Sequence, residues 1–144
     1  MQIEKVSYAG NPERVTDEAF DCVWVRFGER KTPTPILSQV LQWVDWRLQG
    51  QLSRFLLDTE TRKHQTTFLP TSNRIHTPLV ALDPPGEVDW ELFGANCSGM
   101  GFKNLLILCE EAADLSALEK ELRKHIPEGV EKVTLGSDGP VGRG

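Results

Sequence analysis

Nowhere in its 144 residues does the chain hold an apolar run long enough to cross a bilayer, which takes about 20 residues. Its first residues, MQIEKVSYAGNPERV, lack the charged-then-apolar pattern of an export signal. Cysteine is scarce: Cys22, Cys97 and Cys109 are odd in number and widely spaced, unlike the disulfide framework of a small secreted domain. Cys22 and Cys109 lie in apolar, strand-like runs, where a free thiol behaves as a small hydrophobe. A reducing, cytoplasmic setting is expected.

Positive charge is also short, with 16 Lys and Arg against 21 Asp and Glu and a net charge of -5. Surfaces that track phosphates are basic, so nucleic acid is not the expected partner. The basic residues Arg54, Arg62, Lys63, His64 and Arg74 are spread over turns and a helix flank. Cys-x-x-Cys, His-x-His and His-Glu-x-x-His are all missing, and Glu110-Glu111 reads as a solvated strand end, so neither metal nor cofactor is expected.

A hydrophobic share of 39% and a charged share of 26% are ordinary for a globular domain. We expect one domain over residues 1–135 and a flexible, Gly-rich tail over 136–144. Strand-like runs alternate with helical ones, which implies an α/β layer architecture. DCVWVRF (21–27) and NLLILC (104–109) are apolar almost throughout, as strands covered on both faces are. Weaker strands are expected at 2–8, 66–69 and 79–82, with 130–135 (VEKVTL) as an edge strand. Helices are expected from about Glu87 to Ser98, stopped by Gly99, and from Asp114 through Leu115, Leu118, Leu122 and Ile126.

The most periodic stretch is Pro35 to Asp58, read as one long helix or as two meeting at Gly50. Thr34 and Pro35 suit its N-cap and first position. Leu37, Leu41, Val44, Leu48, Leu52 and Phe55 recur at steps of four and three, a core-facing stripe. At about 100° per residue, Trp46 points away from that stripe. Trp43 accompanies it, and Gln39, Gln42 and Gln49 surround it. Exposed tryptophans are enriched as interface anchors, so Trp43, Trp46, Gln39 and Gln42 are candidate partner-binding residues. The alternative is that residues 9–20 fold over the two rings.

Nothing in the sequence spells out catalysis. Gly99-Met100-Gly101 begins like a dinucleotide fingerprint, but Asn104 replaces the third glycine and a helix precedes the motif where a strand should. Asp83-Pro84-Pro85-Gly86 stands between strand and helix, where α/β folds bind anions. However, its prolines lack the N–H groups of a phosphate cradle. Cys97 and Ser98 sit near a helix C-terminus, whose dipole disfavours a thiolate, and His64, His76 and His125 have no defined relation to them. No catalytic residue is assigned.

In order, DCVWVRFGE, LQGQLSRFL, TTFLPTSNRIHTPLVAL, DWELFGANCSGM and GFKNLLILC resemble the N-terminal domain of the cytosol (leucyl) aminopeptidase family. The resemblance covers roughly residues 2–135, with Leu48–Ser53 (Leu-x-Gly-x-Leu-Ser) and the strand end Leu69-Pro70-Thr71 as its most specific pieces. It implies a three-layer, macro-like α/β fold, a mixed central sheet with helices on both faces. It places the family's two metal ions and catalytic lysine and arginine in a C-terminal domain without counterpart in this sequence. Where the family has a Gly-Leu-Gly turn, Asp83-Pro84-Pro85-Gly86 stands here. Relatives form hexamers and some bacterial ones bind DNA.

Two functions follow as expectations. The first is a non-catalytic interaction or regulatory module, self-associating or docking on a protein partner. The second, implied by macro-like folds, is a binder of ADP-ribose or a related nucleotide, held by Thr71, Ser72, Asn73, Arg74, Asp83 and Gly86. A third, enzymatic reading would rest on Cys97 or Ser98.

Overall fold

A computed structural model describes residues 2–28, 35–57, 66–72, 74–85, 88–111 and 114–138. In chain order the elements are β1 (Gln2–Ser7), α1 (Arg14–Asp17), β2 (Cys22–Arg26), α2 (Gln39–Arg47), α3 (Gln51–Leu57) and β3 (Thr67–Pro70). They continue with β4 (Leu79–Leu82), α4 (Trp90–Met100), β5 (Asn104–Cys109), α5 (Asp114–His125) and β6 (Lys132–Ser137). The six strands form one mixed sheet in the order β1-β6-β5-β2-β4-β3. All neighbours run parallel except β3, which pairs antiparallel with β4.

The two apolar runs behave as their composition demands. β2 and β5 lie side by side in the middle of the sheet, Cys22 opposite Leu105 and Arg26 opposite Cys109. Alternate residues point to opposite faces. Val23, Val25, Leu106 and Leu108 pack with Val40, Leu41 and Val44 of α2 and Leu52, Phe55 and Leu56 of α3. Cys22, Trp24, Leu105 and Ile107 pack with Phe93 and Cys97 of α4 and Leu115 and Leu122 of α5. The result is helix layers on both faces of a mixed sheet, the three-layer α/β fold expected.

Several boundaries differ from expectation. The stretch around Gly50 is two helices, because Gln49 and Gly50 take left-handed backbone (φ 59° and 79°) and end the first one. Asp45 of α2 then caps α3, accepting from Leu52 N at 2.9 Å and Ser53 N at 3.2 Å. α2 starts later than the Thr34-Pro35 pair suggested. Its N-cap is Ser38, whose hydroxyl accepts from Leu41 N at 3.3 Å, while Thr34 lies outside the described residues. Leu37 therefore precedes the helix, and it is 80% exposed rather than part of the core stripe.

α4 begins at Trp90 behind an Asp89 cap, and it runs through Gly99 to stop at Gly101, which takes the left-handed conformation (φ 69°) that ends helices. Gly99-Met100-Gly101 is thus the last turn of α4 and its cap, leading into β5, and not the strand-to-helix turn of a dinucleotide site. β6 is not an edge strand: it lies between β1 and β5, and β1 takes the edge. It also extends to Ser137, so Gly136 and Ser137 are buried sheet residues rather than tail. Short-range alternation cannot tell an edge strand from an inner one when one partner strand is as weakly apolar as β1.

Candidate functional site

Two places could carry function: the outer face of α2, and the rim at the carboxyl ends of the parallel strands. The α2 face comes from the helical repeat. Val40, Leu41, Val44 and Leu48 are buried against the sheet, which turns Gln39, Gln42 and Trp46 outward and leaves Trp43 at the margin of the core. Trp46 is 64% exposed, whereas Trp43 is partly buried against the core. Their ring centroids are 5.2 Å apart with the planes tilted by 44°. With Pro12 from the loop after β1, Gln39, Gln42, Trp43 and Trp46 line a shallow open groove of ≈ 460 Å³.

The groove is held at both ends. At its start, Gln42 Nε2 donates to the Ile36 carbonyl at 2.8 Å, and the Asp138 carboxylate accepts from the backbone N–H of Gln39 and of Val40, the latter at 2.9 Å. At its far end, the Arg47 guanidinium lies 5.8 Å from the centre of the Trp46 ring, while Arg47 Nε donates to the Arg74 carbonyl at 2.7 Å. The indole N–H of Trp43 is buried without a hydrogen-bond partner among the described residues. The residues singled out for partner binding are thus brought together. The 9–20 segment reaches the groove through Pro12 and leaves Trp46 largely uncovered.

The proposed ligand loops are not brought together. Because β3 runs against β4, Thr71 and its neighbours follow β3 at the rim where β4 starts, opposite Leu79, while Asp83 lies beyond β4's other end. Four strand residues separate the two rims, about 13 Å. Asn73 and Gly86 lie outside the described residues. Thr71 is itself buried, and its N–H donates to the Pro78 carbonyl at 3.2 Å. Sequence order placed both loops after strands, but only strand direction says at which end a strand finishes.

The carboxyl rim holds acids already bound to the chain's own donors. The chain leaves β2 toward β3 and β4, and leaves β5 toward β6, so the topological switch point falls between β2 and β5. Ligands of open α/β sheets bind there. In that crevice the Gly28 N–H donates to Glu110 Oε1 at 2.8 Å. Asp83 accepts from Trp24 Nε1 and from Thr66 Oγ1, each at 2.7 Å, with Arg26 at 3.9 Å. The N-terminus of α2, another natural anion seat, is occupied by Asp138. Among the described residues, the amides of Gly28, Gln39 and Val40 are thus already paired with carboxylates.

The nucleophile candidates are poorly disposed. Burial first, and then the negative charge of Asp83, push the Cys97 thiol from 9.0 up to about 12. Cys22 is pushed up as well, chiefly by burial. His125 stacks on Trp90 with centroids 5.3 Å apart and pairs with Glu121 at 3.5 Å. His64 lies outside the described residues. Among the described residues no cluster of three or more His, Cys, Asp or Glu could hold a metal ion, and no helix is long and apolar enough to cross a membrane.

The fold and these sites define an α/β three-layer domain with an aromatic groove on one helix. Its architecture is similar to part of a tomato leucine aminopeptidase variant, with a TM-score of 0.58 and 13% sequence identity. That match covers 99% of this chain and 33% of the aminopeptidase chain, so this chain spans about a third of that protein's length. No protein-family model matches the sequence, and no curated protein does. At this identity the likeness is one of fold.

Proposed function

We propose that the chain is a non-catalytic interaction module with the fold of an aminopeptidase N-terminal domain, working through the Trp43–Trp46 groove. The observation that carries this reading is the exposure of Trp46, 64%, beside a second tryptophan in a groove fixed at both ends. Large aromatic side chains left in water are what protein contacts cover. The three free cysteines suit a reducing, cytoplasmic setting.

Among the described residues of the carboxyl rim, the N–H groups of Gly28, Gln39 and Val40 already hold Glu110 and Asp138, which weighs against the nucleotide reading. A ligand that binds only the native state raises its melting temperature. Thermal denaturation with millimolar ADP-ribose is expected to show no shift, and a clear rise would revive that reading.

The decisive experiment replaces the exposed Trp46 with glutamine, leaving the core-packed Trp43 in place, and compares assembly by native mass spectrometry with fold by circular dichroism. Loss of assembly with the fold kept supports an interaction face. Unchanged assembly, or unfolding of this variant, counts against it.

A further inference from the structure

We draw no further inference here: the strongest candidate, the small cavity at the carboxyl ends of β2 and β4 walled by Trp24, Arg26, Asp83, Trp90, Phe93 and Leu118, has a volume of ≈ 10 Å³, about the room that one water needs, and its Asp83 carboxylate is already bound to Trp24 and Thr66, so nothing there selects a ligand.

Discussion

Trp24 and Asp83, far apart in sequence, share a buried hydrogen bond: the indole Nε1–H donates to Asp83 Oδ2 at 2.7 Å. The bond ties the centre of the sheet, in β2, to the end of β4. Trp24 meets Phe68 and Phe93 edge-on, with centroids 5.8 and 4.8 Å away. Asp83 is therefore a packing residue, and the neighbouring prolines fix the turn around it.

Replacing Asp83 with alanine leaves a buried indole N–H without its acceptor, a loss of about 1–3 kcal/mol. Asp83→Asn keeps an acceptor oxygen and should cost less. Urea unfolding of both variants checks the order, and an alanine variant as stable as the parent would refute the role.

The two tryptophans of α2 should separate in their effect on stability. Trp46→Ala, at an exposed site, is expected to change it by no more than about 0.5 kcal/mol. Trp43→Ala removes a ring packed on the core and should cost clearly more. Chemical denaturation of the two single variants measures the difference.

Asp138 holds the first free N–H groups of α2, those of Gln39 and Val40. Asp138→Ala removes this cap and should destabilise by about 0.5–2 kcal/mol. Hydrogen exchange should show the first turn of α2 opening before the rest of the helix.

Gly136 lies under Tyr8: a Cβ there would stand 2.5 Å from Tyr8 Cε2 and 3.1 Å from Leu108 Cδ2. Both neighbours are fully buried, so Gly136→Ala is expected to cost about 1–3 kcal/mol through overpacking. A Tyr8→Leu change in the same protein should recover part of the loss in thermal unfolding.

Stability should fall in mild alkali. Cys97 releases its proton near 9.0 when unfolded but only near 12 when folded, and Cys22 shifts the same way. Above the unfolded value the unfolded chain binds fewer protons, so the slope of unfolding free energy against pH is negative. The loss grows with pH between the unfolded and folded values of each thiol. Urea titrations at pH 8 and pH 10 test the sign, and Cys97→Ala should flatten the slope.

The element sequence was legible because apolar periodicity and turn residues are short-range signals. Residues 104–109 read as a doubly covered strand and became one, and Gly50 broke the long helical stretch where its backbone freedom allows. Leu37 misled because its spacing matched the stripe, yet Ser38 caps the helix one residue later. Asp138 was invisible as a cap, since its partners lie 98 and 99 residues away in sequence. Pro12 lines the groove from the loop after β1, and Arg47 beside Trp46 is anchored on the Arg74 carbonyl, relations that no local pattern encodes.

By itself, then, the sequence determined the α/β class, the two buried strands and the face of α2 on which Trp46 lies opposite the core stripe, because side-chain periodicity alone sets which residues share a face. Tertiary structure decided the rest: that β6 is inner and β1 the edge, that Thr71 and Asp83 lie at opposite rims, and that Glu110 accepts from Gly28 and Asp138 from Gln39 and Val40. Those features depend on which strands pair and in which direction, and that pairing is fixed by burial of the whole sheet between its two helical layers.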